Sequence, residues 1–293
     1  MRWIVACLMM ACVRGTSLYQ TSQAIASAVV RLCDATPFLT CRDFEGLQWV
    51  EVAGTGPADT WVLLEFGVHA REVFCGDLAL AWLTHVQSHR PYYNVVVVPV
   101  GNPINRDKAL RGAVGLRKMP DGVDPNRNYW TPAHHHRYRR DGEEYEGARP
   151  LTERNVRLVD QVLRQRHVET VVEVHTGEFS IYHGYDSTTA PLPNAVETAR
   201  FAAFLAEDCK ECAVGSAAKE SSYKAYGTLV DWALQERGVR FAFTLETYGD
   251  WTRSNLYENF NPRTRTRKDA EIRRWIRVLD KTVASYEAWE KYL

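Results

Sequence analysis

The 293-residue chain predicts an α/β fold, a mostly parallel sheet covered by helices on both faces. Short apolar runs alternate with amphipathic stretches along its length, the signature of strands and helices in layers. Several runs are nearly continuously apolar rather than alternating, as strands buried on both faces are. Composition agrees: 45% of residues are hydrophobic and 25% charged, ordinary for a globular chain long enough to bury a substantial core. Lysine plus arginine (36) balance aspartate plus glutamate (36), so no overall field points to nucleic acid or to an anionic membrane.

In chain order, Arg2, the apolar run Trp3 to Val13 and then Arg14-Gly15 read as a signal peptide over residues 1–15. That run is shorter than the roughly 20 residues needed to span a bilayer. No later stretch is apolar enough to span one either, so a soluble mature chain, secreted or otherwise outside the cytosol, is expected. A helix at Gln20–Cys33 follows, then strands at Leu47–Val52 and Trp61–Val68, a helix at Cys75–Gln87 and a strand at Asn94–Val100. The longest irregular stretch, Gly101 to Pro150, holds eight arginines beside His134, His135 and His136. A loop of that length inside a compact domain is usually functional, so substrate contacts are expected there. The histidine triple itself reads as a solvated loop, because adjacent histidines on a regular element cannot all face one ion. Helices at Thr152–Arg166, Pro193–Asp208, Leu229–Arg237 and Asp269–Tyr292, with strands at Thr170–His175 and Val239–Leu245, complete the pattern. The last helix spaces Ile272, Trp275, Ile276, Leu279, Val283, Tyr286 and Trp289 as a core stripe. Among the cysteines, Cys33 with Cys41 and Cys209 with Cys212 suit short disulfides, which leaves Cys75 as a buried thiol.

The strand at Trp61–Val68 runs into His69-Ala70-Arg71-Glu72, just before a helix. At such a turn, an imidazole and a carboxylate three residues apart can be aimed at one ion. Catalytic zinc takes three protein ligands and keeps one position open. His175, ending the strand at Thr170–His175, is the best third candidate, because the C-terminal ends of parallel strands gather along one sheet edge.

Alone, H-x-x-E is a weak signal. Its neighbours are more specific: Asn102-Pro103, Arg117-Lys118, Gly122-Val123-Asp124-Pro125-Asn126-Arg127-Asn128, Tyr145-x-Gly147-x-x-Pro150-x-Thr152-Glu153, Val174-His175-Thr176, Tyr223-Lys224-Ala225 with Val230-Asp231-Trp232, and Phe243-Thr244-Leu245-Glu246. In this order they resemble the zinc metallocarboxypeptidases of the carboxypeptidase A and B type over roughly residues 18 to 290. The resemblance implies a catalytic domain at 18–293, a single-domain mixed, mostly parallel β-sheet flanked by helices on both faces; in a departure from the best-known members, no pro-segment or C-terminal accessory domain is expected. It also implies one zinc ion on His69, Glu72 and His175, with Asp124 holding the other ring nitrogen of His69. Glu246 is the implied general base, and Arg117 the cation for the charge that develops on the scissile carbonyl oxygen. Asn126 and Arg127 would take the substrate's terminal carboxylate, Tyr223 would close over it, and Arg71 would form a secondary subsite or a structural ion pair. Val230 stands at the position that selects the terminal side chain, and its apolar character predicts an apolar or aromatic preference, with Asp186, Glu178 and Asp250 as the residues that could instead supply a negative wall.

The chain departs from the family pattern at Gly177 to Gly184, which lacks the usual Ser/Gln run, at Thr228 in place of glycine, and at Thr247-Tyr248-Gly249-Asp250 after the glutamate. Peptide C-termini are the expected partners, with no nucleic acid, no stable membrane insertion and no second subunit. Two alternatives share the metal core: a zinc amidohydrolase acting on N-acyl amino acids, and a catalytically silent homologue that binds peptide termini.

Overall fold

The structure, a computed structural model, describes residues 18–131, 138–221 and 223–290. The expected signal peptide and the triple His134 to His136 lie outside the described residues. Elements run in the order α1 (Ser22–Ala35), β1 (Leu39–Phe44), β2 (Leu47–Val52), β3 (Thr60–Phe66), α2 (Phe74–His85), β4 (Asn94–Val98), α3 (Pro103–Leu110), a 3-10 turn (Pro125–Arg127), α4 (Arg154–Gln165), β5 (His167–His175), β6 (Phe179–His183), α5 (Ala195–Ala206), β7 (Ala213–Ser216), α6 (Ala217–Glu220), α7 (Leu229–Glu236), β8 (Phe241–Thr247), α8 (Leu256–Phe260), α9 (Arg265–Thr282) and α10 (Glu287–Glu290). The strands form one sheet in the order β1-β2-β4-β3-β5-β8-β6-β7. β4, β3, β5 and β8 run parallel, as do β6 and β7, while β1 to β2, β2 to β4 and β6 to β8 are antiparallel.

Two cores flank this sheet, and the pleat of the central strands sorts residues between them. Val62, Leu64, Val95, Val97 and Phe243 pack with Ile25 of α1, Leu78 of α2, Phe201 of α5 and Trp275 of α9. Leu63, Val96, Val98 and Val171 pack on the other side with Val156 and Val159 of α4 and Leu229 and Trp232 of α7. The four consecutive valines of β4 are therefore split two and two, which is why that strand is apolar without alternation.

Several boundaries differ from the sequence reading. The stretch Gly101 to Pro150 is not structureless: Asn102 caps α3 by accepting from the Asn105 amide, and Pro103 occupies its first position. The last long helix starts at Arg265 and stops at Thr282 rather than running from Asp269 to Tyr292. Its end is set by the carbonyl of Val283, which accepts from the amides of Tyr92 and Tyr93 ahead of β4. The expected strand at Val239–Leu245 starts at Phe241, because the Val239 amide closes the preceding turn on the Ala233 carbonyl. Three strands without a continuous apolar run, β1, β6 and β7, extend the sheet beyond those expected. Both short disulfides, Cys33–Cys41 and Cys209–Cys212, are present, and Cys75 is a buried free thiol. Among the described residues, no helix is long and apolar enough to cross a membrane.

A buried ion cluster joins α2, α3 and α9. Asp77 Oδ2 lies 2.9 Å from Arg106 Nη2, and its Oδ1 accepts from Lys268 Nζ, while Arg106 also donates to the carbonyls of Gln20 and Val73. Removing the acid from between two buried cations leaves their charge uncompensated. Asp77→Ala is expected to lower the unfolding free energy by about 3–5 kcal/mol, measured by urea denaturation.

Candidate metal centre

The site grows from the C-terminal ends of three adjacent parallel strands, β3, β5 and β8. Register pairs Phe66 with Val174 and His175 with Glu246, so the end of β5 sits directly beside the end of β8. After β3 the chain turns at Gly67, whose φ of +64° is a conformation that favours glycine. The turn is pinned on three sides. The Ala70 amide donates to the Arg117 carbonyl at 3.0 Å, Asn261 Nδ2 donates to the Arg71 carbonyl at 2.8 Å, and Asn261 Oδ1 accepts from the Phe74 amide that starts α2. His69 and Glu72 are thereby delivered to the strand ends.

His69, Glu72 and His175 are each at most 3% exposed, and one ligand atom from each lies within 4.8 Å of the others. Both imidazoles turn Nδ1 toward the same carboxylate: His69 Nδ1 is 2.9 Å from Glu72 Oε1 and His175 Nδ1 is 3.0 Å from Glu72 Oε2. The opposite ring nitrogens also meet acids. His69 Nε2 is 3.1 Å from Asp124 Oδ1, and His175 Nε2 is 3.0 Å from Glu173 Oε2. The Glu173 contact is a charge contact without hydrogen-bond alignment, since neither Glu173 oxygen has an aligned donor. Burial alone would raise the Glu72 carboxyl, but His69 and His175 outweigh it and hold it below the carboxylate range. Burial would lower His175, and Glu173 and Glu72 outweigh that in turn and raise it. Glu65 is the register partner of Glu173 across β3 and β5. Burial and Glu173 push its carboxyl up to about 8, so it is protonated at neutral pH.

This donor set fits zinc: two imidazoles and a carboxylate converge, and an acid behind each imidazole sets its orientation and basicity. Asp124 does more than support His69. Its Oδ2 accepts from Arg117 Nε at 2.8 Å and its Oδ1 from the Asn126 amide at 3.0 Å. Although burial would raise it, Arg117 and His69 hold Asp124 well below the usual carboxylate range. One acid thus couples the first ligand, Arg117 and the Pro125–Arg127 turn.

A cavity of about 210 Å³ opens over these residues and is lined by His69, Glu72, Arg117, Asn126, Arg127, His175, Tyr223 and Glu246 among others. Glu246 is half-buried on its wall, with a buried Oε2 that lacks a hydrogen-bond partner, and desolvation pushes its carboxyl up to about 8. Gly177 lies against it, where an added Cβ would stand 3.5 Å from Glu246 Oε2 and 3.1 Å from the Phe260 ring. Arg127 is 2% exposed on its side chain and donates to Glu144 Oε1 at 2.6 Å and to the Tyr223 hydroxyl at 3.4 Å. Asn126 Oδ1 accepts from the Leu229 amide at 2.9 Å, tying this turn to the start of α7.

Two of the residues singled out from sequence as substrate contacts do not line the cavity. Arg71 pairs with Glu143 at 3.0 Å and stacks over Phe260 at 4.6 Å. Val230 is fully buried in the core between the sheet and α7. Sequence reading passed over Glu173, Glu144 and Asn261. Glu173, two residues before His175 on a strand, was legible in principle, because i and i+2 share a face. Glu144, 17 residues along from Arg127, and Asn261, from a distant segment, carried no local signal.

A family model described as zinc carboxypeptidase matches residues 42–271 of the chain. Among solved structures, bovine thrombin-activatable fibrinolysis inhibitor, in complex with tick carboxypeptidase inhibitor, superposes with a TM-score of 0.79 at 19% identity, over 94% of this chain and 98% of that one. Carboxypeptidase A from Helicoverpa armigera gives a TM-score of 0.75 at 17% identity, over 92% of this chain and 75% of that one. A search of curated proteins returned no match. At these identities the superpositions establish the fold alone, while the family match covers most of the sequence and includes all three converging ligands: the chain belongs to the zinc carboxypeptidase family.

Proposed function

We propose that the protein is a zinc-dependent metallocarboxypeptidase that removes C-terminal residues from peptides. One observation carries this reading: a buried His-Glu-His set shares a cavity with an unpartnered buried carboxylate oxygen on Glu246 and with the guanidinium of Arg127. The chemistry zinc supplies at such a site is acidification of water and polarisation of a carbonyl. His69, Glu72 and His175 would hold the ion, with Asp124 and Glu173 fixing the two rings.

The free oxygen of Glu246 is placed to take a proton from the attacking water and return it to the leaving amine. Burial favours the protonated form that gives the proton back, and a cation on His69, Glu72 and His175 would favour the ionised form that accepts it. Arg117, oriented by Asp124, offers a fixed cation to the substrate oxygen that gains charge. Arg127 and Asn126 receive the terminal carboxylate, and the exposed Tyr223, whose hydroxyl already reaches Arg127, covers it. The two disulfides support an oxidising, extracytoplasmic location.

The reading is tested by release of the terminal amino acid from blocked dipeptides. Chelation is expected to abolish release and added zinc to restore it. Glu246→Gln is expected to lower kcat by about 10²–10⁴-fold while metal analysis still finds one zinc per chain. Loss of zinc in that variant, or full activity in the chelated protein, refutes the assignment.

Arg127 is already engaged by Glu144, which is 35% exposed on its side chain. A substrate carboxylate must displace that acid. Replacing Glu144 by Gln weakens the competitor, so KM is expected to fall about two- to fivefold with kcat little changed, as suits a partly solvated ion pair. Steady-state kinetics on one dipeptide checks this.

A further inference from the structure

Beyond the metal ligands, the same cavity is lined by Asp186, Thr228, Ala217, Ala225 and Thr244. Asp186 is 7% exposed and its Oδ1 has no hydrogen-bond partner, while the Thr228 hydroxyl is near enough to favour the charged form. The turn that carries Asp186 does not need this acid. The amides of Asp186 and Ser187 and the Ser187 hydroxyl all donate to the Asp231 carboxylate, and the Asp186 carbonyl accepts from the Ala225 amide. An uncharged residue would leave every one of these bonds in place.

A buried carboxylate oxygen with no donor is costly, and here burial together with Asp231 pushes the carboxyl up to about 7. An apolar side chain entering the cavity would shield that oxygen further and give it nothing. A guanidinium or ammonium would bring both donors and the opposite charge. The two arginines that line the cavity each have a carboxylate partner already, Arg117 in Asp124 and Arg127 in Glu144. Glu178, exposed on the same lining, adds charge of the same sign as Asp186.

Building on the carboxypeptidase reading, we propose that Asp186 is the specificity determinant of this pocket and that the terminal residue removed is arginine or lysine. This departs from the apolar preference expected from Val230, which lies inside the core and does not reach the cavity.

The test is a panel of blocked dipeptides with one penultimate residue, ending in Arg, Lys, Leu, Phe or Glu, on zinc-loaded protein. Arg and Lys are expected to exceed Leu and Phe in kcat/KM by about tenfold or more. Asp186→Asn is expected to shrink the Arg-to-Leu ratio by a similar factor. A wild-type panel led by Leu or Phe overturns the proposal and leaves the hydrolytic reading standing. So does an Arg-to-Leu ratio that Asp186→Asn leaves unchanged. The wild-type order decides the matter even if the variant fails to fold. If no dipeptide is cleaved, the hydrolytic reading fails, and calorimetry with free L-arginine and L-leucine decides the pocket separately. Tighter arginine binding supports the proposal, and equal binding overturns it.

Discussion

Glu72, held between two imidazoles out of contact with bulk water, is the constraint around which the molecule is arranged. Burying a carboxylate is expensive unless charge and donors meet it on every side. Here each oxygen faces a histidine Nδ1, and each histidine is backed by a further acid, Asp124 or Glu173. The result is a buried set rich in negative charge, which a divalent cation balances better than any side chain of the surrounding protein. The scaffold follows from that requirement. Three parallel strands must end side by side, and both helical layers must be complete enough to keep water out beneath them.

Around this centre the irregular segment after β4 works mainly by electrostatics. Glu143 meets Arg71 and Glu144 meets Arg127, while Lys118 donates to the Gly142 carbonyl and the Asp124 amide to that of Tyr145. Asn128 then fixes the stretch ahead of α4 by accepting from the amides of Thr152 and Glu153 and donating to the carbonyls of Glu146 and Arg149. Arg71 and Arg127 are thus preorganised by acids from one neighbouring loop, and a carboxylate ligand would exchange with a partner rather than enter an empty site. Asp186 is the reverse case, an acid on the cavity wall with one oxygen left over.

The central strands and the principal helices were legible because their signal is local. A continuous apolar run marks β4 and runs broken by a single glutamate, Glu65 or Glu173, mark β3 and the end of β5, while helical spacing of apolar residues marks α9. β1 and β7 were not legible, because they sit at the two ends of the sheet with few buried residues and so have no apolar run to display. β6 is short, and its burial comes from pairing with β8, a partner more than fifty residues away. The end of α9 was misjudged for a similar reason: the Val283 carbonyl is taken by amides from the segment before β4, a competition invisible along the helix itself.

By itself the sequence determined which residue types could bind a metal and in what order they occur, because H-x-x-E at a strand-to-helix turn, a histidine at a strand end and a glutamate at another are short-range patterns. It determined the α/β class for the same reason. The tertiary structure decided which acids stand behind the histidines, which carboxylates occupy the arginines, and which side chain forms the pocket wall. At that level Val230 falls in the core and Asp186 on the cavity wall. Whether a side chain faces a cavity or a core depends on what packs against it from elsewhere in the chain, and no local pattern encodes that.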